Sequence, residues 1–266
     1  MPMAVTRIVN SCVLIEIGGY AVLGDPWFHD RWYLRFGEMP GRSISELPKL
    51  AGIIGSHFLP NHWDIQSLGG YAHKTTTPVF VATDQMAKQA KKAGFKEVAV
   101  MEWGTTWDIA PNLTLDTVQA HYSFGFRVNN YVLSSTGVRI FYGGEARDIE
   151  PLRAYRKKHP PVDVVLAPTN GVHFLGRKLV MNPKDLITAA QVLESQIIIP
   201  IHDALDPIYR YLPGFIFQRT GNAEETAQLA NHLQNERIQV HHLETGVRWV
   251  SSKPIKYEIV GPSYLV

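Results

Sequence analysis

Short apolar runs separated by turn residues fill much of the first half of the chain and predict β-strands. Residues 12–17 and 20–23 flank Gly18-Gly19, a pattern typical of a hairpin. Further runs of this kind are predicted as strands at residues 50–55, 77–82, 97–102, 107–109, 113–120, 130–134 and 138–142. Residues 84–93 are the exception, because they have helical periodicity and Gly94 follows as a helix end.

The second half alternates between buried strands and helices. Residues 162–166 and 197–201 are continuous apolar runs, as expected of strands that are buried on both faces. Between them, Asn182 as a cap, Pro183 at the first helical position and an acid in the first turn predict a helix to residue 195. A second helix is predicted over residues 222–234, with two acidic residues in its first turn.

This order of elements predicts an α/β (α+β) fold, namely an αββα sandwich of two mixed β-sheets flanked by helices. No repeat, low-complexity segment or linker interrupts the chain. A single domain over residues 1–266 is therefore expected.

Composition narrows the class of protein. The 266 residues are 45% hydrophobic and carry 26 Lys and Arg against 24 Asp and Glu, which gives no electrostatic basis for binding nucleic acid. Cys12 is the only cysteine, so an intramolecular disulfide and a cysteine-based zinc site are excluded. The first residues lack the long apolar stretch of a signal peptide or membrane span. A cytoplasmic protein without a membrane span is expected.

Metal-binding residue types follow four of the predicted strands. The segment SHFLPNHWD at residues 56–64 follows the strand at 50–55, and His121 follows the strand that is predicted to end at residue 120. Glu145 and His202 follow the strands at 138–142 and 197–201. Strand ends on one edge of a sheet converge, and imidazole and carboxylate suit zinc, manganese or iron. A metal site at this edge is predicted.

These residues carry a resemblance to a known family. With VLIE at 13–16 and LGDPW at 23–27, the chain resembles the metallo-β-lactamase superfamily from about residue 9 to about residue 250. Within that superfamily it is most similar to the branch of ascorbate-6-phosphate lactonase and N-acyl-phosphatidylethanolamine phospholipase D. The resemblance implies the metallo-β-lactamase fold and hydrolysis of an ester, lactone or phosphodiester of a small molecule.

The family's His-x-His-x-Asp-His loop is only partly kept. Its first and last histidines correspond to His57 and His62, but Leu59 stands at the second histidine and Asn61 at the aspartate. The family's later ligands correspond to His121, Glu145 and His202, with Glu145 in place of an aspartate. Asp64 matches an aspartate that often follows the loop and would orient a ligand or the water.

The resemblance therefore implies a reduced metal site. One metal position retains His57, His121 and Glu145, and the other retains His62, His202 and Glu145. We expect one divalent ion per chain, at the second position, because the Asn61 oxygen can add a contact there. Asn61 cannot act as a base, so Glu145, Asp64 or water on the metal must take that role.

Two other functions are also consistent with the sequence. Two imidazoles and one carboxylate also suit a mononuclear iron or manganese oxidoreductase or lyase. Loss of two family ligands is equally consistent with a metal-free protein that binds a small molecule.

Candidate substrate contacts surround these donors in the sequence. Residues 27–36 are dense in aromatics and cations and are predicted to form a lid in which Trp27, Arg31 and Arg35 contact an anionic substrate. Arg127 and His173 follow other strands and are further candidates. Residues 209–217 are predicted to form an opposite wall or a contact between copies in a homo-oligomer.

Overall fold

The computed structural model describes residues 3–32, 34–203, 205–206, 213, 216–233 and 238–251. Its strands are β1 Ala4–Val9, β2 Cys12–Ile17, β3 Tyr20–Gly24, β4 Arg35–Phe36, β5 Gly52–Gly55, β6 Val79–Val81, β7 Val98–Val100, β8 Thr106–Ala110, β9 Leu113–Ser123, β10 Phe126–Ser135, β11 Val138–Tyr142, β12 Val164–Pro168, β13 His173–Phe174, β14 Arg177–Lys178, β15 Ile197–Ile201, β16 Leu205–Asp206, β17 Phe217–Gln218, β18 Gln239–Val240 and β19 Arg248–Val250. Its α-helices are α1 Asp84–Lys92, α2 Glu150–Arg156, α3 Pro183–Val192 and α4 Ala223–His232, and short 3₁₀ helices cover Ile44–Glu46 and Ile65–Gly70.

The described residues form two seven-stranded sheets that are both mixed. The order in the first sheet is β19-β1-β2-β3-β5-β6-β7, with antiparallel pairs up to β3 and parallel pairs from β3 to β7. The order in the second is β18-β15-β12-β11-β10-β9-β8, with parallel pairs from β18 to β11 and antiparallel pairs beyond. Each sheet therefore has a parallel half whose carboxyl ends share an edge.

The two sheets pack face to face around the central core. Apolar side chains of β1, β2 and β3, such as Ile15, meet those of β10, β11 and β15, such as Leu133 and Ile199. On the outer face of the first sheet α1 buries Met86, and on the outer face of the second sheet α3 buries Leu186. This arrangement of layers confirms the predicted αββα sandwich of two mixed β-sheets.

Side-chain caps begin the helices where the sequence predicts them. Asn182 accepts a hydrogen bond from the backbone N–H of Asp185, whose carboxylate accepts one from the N–H of Asn182. Asn222 accepts in the same way from Glu225. A cap of this kind is worth about 1 kcal/mol, and together the caps fix where α3 and α4 begin.

Some elements were not predicted, among them β1 and α2, and strands β9 and β10 are longer than predicted. Strand β1 and helix α2 lie in stretches that the periodicity left without an element. Strand β9 continues to Ser123, so the prediction that it ends at Ala120 is wrong and His121 lies on the strand itself. The extension is held by pairing of Ser123 with Phe126 on β10. In the part of the chain described here, none of the helices has both the length and the apolar character needed to cross a membrane.

Candidate functional site

The donor residues lie at one edge of the sandwich, where parallel strands of both sheets end. Asp25 follows β3, and the loop that carries His57 and His62 follows the neighbouring β5. Glu145 and His202 follow β11 and β15 in the second sheet. Parallel neighbours end at the same edge, and for that reason side chains far apart in sequence meet here.

Asp25 anchors the ring of His62. Its Oδ2 atom lies 2.7 Å from His62 Nδ1 and accepts a hydrogen bond from the hydroxyl of Ser56 at 2.6 Å, while Oδ1 accepts from the N–H of Ser56 at 2.7 Å. Asp25 itself is fully buried and adopts a left-handed backbone with φ 41°. A carboxylate on Nδ1 fixes the proton there and leaves Nε2 of His62 as the free nitrogen.

Gly144 makes room for this carboxylate. A Cβ atom at position 144 would lie 2.0 Å from Asp25 Oδ2 and 2.6 Å from the Ser56 hydroxyl. Glycine is therefore required beside Glu145 so that Asp25 can reach His62.

Asn170 anchors the ring of His202 in a similar way. The Oδ1 atom of Asn170, which follows β12, lies 3.3 Å from His202 Nδ1. The backbone N–H of His202 donates to the carbonyl oxygen of Asn10 at 3.3 Å, and His202 adopts φ 64°. With its Nδ1–H donated to Asn170, His202 also presents Nε2.

The two presented nitrogens face each other, with a carboxylate beside them. His62 Nε2 and His202 Nε2 are 3.1 Å apart, and Glu145 Oε2 is 3.5 Å from His62 Nε2. Two acceptor nitrogens at this distance repel unless a positive charge lies between them. The space between the rings therefore favours a cation, either a proton or a metal ion.

The other two histidines lack such anchors. Both ring nitrogens of His121 are buried, and neither has a hydrogen-bond partner among the described residues. His57 Nδ1 lies 2.5 Å from Glu145 Oε2, so this ring is in contact with a carboxylate that is itself one of the donors. We call His62 and His202 the anchored pair and His57 and His121 the unanchored pair.

Burial and charge set the protonation of these groups. Burial lowers the pKa of His121 to about 4 and that of His202 to about 3. Burial would raise the pKa of Glu145, but the neighbouring histidines, His57 foremost, outweigh it and hold that pKa at about 2. Burial would lower the pKa of His62, but the hydrogen bond and charge of Asp25 raise it overall. The site thus pairs an ionised carboxylate with neutral imidazoles and one imidazole that favours a proton.

The donor set suits a transition metal by its chemistry. Neutral imidazole and carboxylate are common ligands of zinc, manganese and iron, and both ring nitrogens of His121 are buried with no hydrogen-bond partner among the described residues. Among the residues described, no group of three or more His, Cys, Asp or Glu side chains already has the spacing of a complete metal site. Glu145 contacts His57, and the same Oε2 atom is 3.5 Å from His62 Nε2, so this carboxylate lies beside both pairs.

A cavity of 210 Å³ opens onto the anchored pair. Its walls are mostly aliphatic and aromatic, with a polar end made by the site. The lining residues are Leu34, Leu59, Pro60, Asn61, His62, Phe124, Glu145, Val172, Phe174, Leu179, Val180, His202 and Phe217. Asn61 is buried and faces this space, and its side chain makes no hydrogen bond with the residues described.

The predicted substrate contacts lie elsewhere. Trp27, Arg31, Arg35, Arg127 and His173 are all absent from the described lining of the cavity. Trp27 is fully buried in the core, and its indole N–H donates to the carbonyl of His29, so it does not belong to a lid. Arg127 donates to the carbonyl of Ala82 and pairs with Glu102.

Three other predicted contacts have local partners. Arg31 lies 3.4 Å from Asp64, and Arg35 is exposed on β4, which pairs with β16. His173 Nδ1 is 2.9 Å from the carbonyl of Gly171. Contact of these side chains with a substrate stays a prediction. Most of residues 209–217 lie outside the described residues.

Asp64 holds a loop and has no contact with the donors. Its Oδ2 accepts hydrogen bonds from the N–H groups of Phe28 and His29 at 3.3 and 3.1 Å, and its Oδ1 faces Arg31. It ties the segment after β3 to the loop that carries His62. Its predicted part in catalysis remains a prediction.

Sequence reasoning missed Asp25 and Asn170 as site residues. Asp25 was noted only as part of the resemblance, and its position directly after β3 was the available signal. Asn170 has no comparable signal, because its contact with His202 joins loops after β12 and β15.

The chain also matches a protein-family model. Residues 4–202 match the beta-lactamase superfamily domain, about three quarters of the chain. The protein belongs to this family. The match begins at β1 and ends at His202, so it spans all the donors described above.

Two curated relatives share part of the chain. An uncharacterized protein of Mycobacterium tuberculosis is 24% identical over 218 residues, which cover 75% of this chain and 58% of that protein. The chain therefore matches little more than half of that relative. A UPF0173 metal-dependent hydrolase of Methanospirillum hungatei is 22% identical over 210 residues, covering 75% of this chain and 82% of the relative.

Solved structures share the fold. A possible metal-dependent hydrolase from Veillonella parvula superposes with a TM-score of 0.75 at 15% identity, covering 94% of this chain and 99% of that one. CmlA, a diiron beta-hydroxylase from Streptomyces venezuelae, superposes with a TM-score of 0.68 at 12% identity, covering 94% and 54%. At such identities the likeness concerns the fold alone.

Proposed function

We propose that the protein is a hydrolase dependent on one divalent metal ion, with zinc, manganese and iron as the candidates. His62, His202 and Glu145 would hold the ion, and the substrate would be an ester, lactone or phosphodiester of a small molecule. The observation that carries the proposal is the 3.1 Å approach of two Nε2 atoms whose Nδ1 atoms are both engaged by buried side chains. The relative and the fold neighbour that are called metal-dependent hydrolases support it.

Different residues of the chain would take different parts in the hydrolysis. When bound, the ion would polarise the scissile carbonyl or phosphoryl oxygen and lower the pKa of water. Asp25 and Asn170 keep the anchored pair oriented. Glu145 faces the cavity, so the carboxylate oxygen that does not hold the ion would accept the proton that the attacking water releases. The amide of Asn61, which is free in the same cavity, can donate a hydrogen bond to the substrate oxygen.

Elemental analysis of protein purified without chelator or affinity metal tests the proposal. We expect about one equivalent of metal per chain, and a His202→Asn variant that contains almost none. Asn is chosen because it tolerates the positive φ of this position. His241→Asn is the matched control, because His241 packs on Trp249 away from the site. Absence of metal from the wild-type protein, even after reconstitution, would contradict the proposal.

Two further functions are kept as outcomes of the same measurement. The donor set also suits a mononuclear iron enzyme, and the diiron hydroxylase CmlA shares the fold. Iron together with oxygen-dependent turnover would identify an oxidoreductase. The contact between His57 and Glu145 favours a metal-free binding protein, which would show no metal and would be stabilised by a small ligand.

Several finer assignments remain predictions. The matches do not distinguish the branch of ascorbate-6-phosphate lactonase and N-acyl-phosphatidylethanolamine phospholipase D from other branches of the family. A cytoplasmic location and a homo-oligomer likewise remain predictions from the sequence.

A further inference from the structure

The lining of the cavity carries information about the substrate. Besides Leu34, its apolar part is built from three separate segments: the loop after β5, the β9–β10 hairpin, and the small sheet of β13, β14 and β17 with its flanking residues. Phe174 and Phe217 are direct partners in that small sheet, and the ring of Phe124 lies 6.4 Å from that of Phe174. Side chains from three segments thus enclose one apolar space beside the anchored pair.

Leu59 makes the cavity apolar next to the donor residues. It stands where the family loop has its second histidine, and its side chain lines the cavity next to Pro60 and Asn61. A leucine here removes a polar group from the floor of the cavity and adds apolar surface. The replacement of a histidine by Leu59 therefore removes a ligand from one metal position and adds apolar surface to the cavity wall.

Among its described lining residues the cavity has no Lys or Arg, and the His62–His202 pair, where a proton or metal ion is favoured, lies at its polar end. Nearby cations are engaged elsewhere, since Arg147 pairs with Asp148 and Arg127 with Glu102. A carboxylate or phosphate on the distal part of a substrate would be buried here without a counter-charge, which is costly.

We infer that the cavity takes the apolar acyl or aryl part of an otherwise neutral small molecule. This inference rests on the proposed function, because it places the reacting group at the polar end beside Asn61, His62 and Glu145. The apolar part then lies against Leu59, Phe124 and the small sheet. A molecule of this kind is expected to be compact, because the cavity measures 210 Å³.

Calorimetric titration with two amides, one neutral and one negatively charged, tests this inference. Hexanamide has an apolar tail, and 6-amino-6-oxohexanoate has the same chain length with a terminal carboxylate. Both resist hydrolysis on the timescale of a titration. We expect hexanamide to bind at least about 10-fold more tightly than the charged amide, because the carboxylate finds no partner.

Two matched variants locate the binding. Phe124 and Tyr122 are on the same hairpin with 55% and 61% of their surface exposed, but only Phe124 lines the cavity. Phe124→Ala should weaken hexanamide binding about 10-fold, and Tyr122→Ala should leave it within about 2-fold of wild type. Leu59→Asn should weaken it to a similar extent as Phe124→Ala. Thermal unfolding of each variant checks that the fold is kept.

The outcomes separate this inference from the proposed function. Selective binding of hexanamide by a protein that takes up no metal would overturn the proposed function and support the inference. Equal or tighter binding of the charged amide would overturn the inference, whether or not metal is present. Loss of hexanamide binding in Tyr122→Ala with no change in Phe124→Ala would also overturn it.

Discussion

The anchored and unanchored pairs of histidines occupy the same edge of the sandwich but are built differently. Each ring of the anchored pair has one nitrogen held by a buried side chain, Asp25 for His62 and Asn170 for His202. In the unanchored pair, His121 has no hydrogen-bond partner and His57 only contacts Glu145. Orientation of a ligand by an outer partner is what preorganises a metal position. The comparison indicates that one position is kept and the other is reduced.

The difference coincides with the altered loop. Leu59 and Asn61 lie between His57 and His62, and both face the cavity. A site that held two ions would need ligands at both positions. Leu59, which stands at the position of a family ligand, instead lines the cavity that we propose to hold the substrate.

Removing one histidine from each pair gives the largest expected contrast. His62→Ala should lose the bound metal and lower turnover by at least about 100-fold, because the ring and its anchored Nε2 are both removed. His121→Ala should retain the metal, because no hydrogen bond is lost with that ring. Metal content and turnover are measured on both variants. If His121→Ala loses the metal and His62→Ala retains it, the order of the two pairs is reversed.

Removing an anchor while keeping the ligand should have the next largest effect. Asp25→Asn leaves His62 in place but replaces the carboxylate that fixes its Nδ1 proton. We expect metal affinity to fall about 10- to 100-fold, measured by competition with a chromophoric chelator. The control is Asp64→Asn, since Asp64 has no contact with the donor histidines. Equal affinities in the two variants would show that Asp25 does not orient the ligand.

A side chain at position 144 would press against Asp25 and is expected to lower the free energy of unfolding. Gly144→Ala would place a Cβ atom 2.0 Å from Asp25 Oδ2, and overpacking of this kind destabilises by about 1–3 kcal/mol. Gly69→Ala is the control, because a Cβ atom there meets nothing within 4 Å, and should change stability by less than about 0.5 kcal/mol. Denaturant unfolding of both variants measures the difference. Equal stabilities of the two variants would mean that Asp25 can shift without loss of stability.

Restoring the family's loop ligands is expected to have the smallest effect. The metal content should rise from about one to about two ions per chain. The variant is Leu59→His combined with Asn61→Asp, and the control is Leu34→His, which also faces the cavity but lies outside the loop. Elemental analysis of both proteins counts the ions. An unchanged metal content in the double variant would show that more than these two residues separates the pairs.

The sequence predicted the layers and the caps because those depend on local patterns. Apolar runs and the Asn182 cap are visible within a few residues, and the structure confirms both. Strand β1 escaped prediction because Arg7 interrupts its apolar pattern. Arg7 is buried only because Glu38 and Asp203, at 2.5 and 3.1 Å, neutralise it from distant parts of the chain. Helix α2 has only Leu152 and Tyr155 buried, too few to show a period.

The site was predictable in its donors but not in their environment. His57, His62, Glu145 and His202 are recognisable because imidazole and carboxylate follow strands, and the structure brings them to one edge together with His121, which lies near the end of β9. Which rings are anchored depends on contacts between loops, such as that of Asn170 with His202. The apolar cavity likewise depends on three segments that meet only in the folded protein.

The hydrogen bond from the N–H of His202 to the carbonyl of Asn10 has a consequence for synthesis of the protein. Asn10 leaves the ribosome well before His202, so the anchored pair cannot form on a nascent chain that lacks β15. Contacts of such long range also slow folding. A metal ion would therefore be acquired after translation has passed this strand, and its binding would stabilise the entire sandwich.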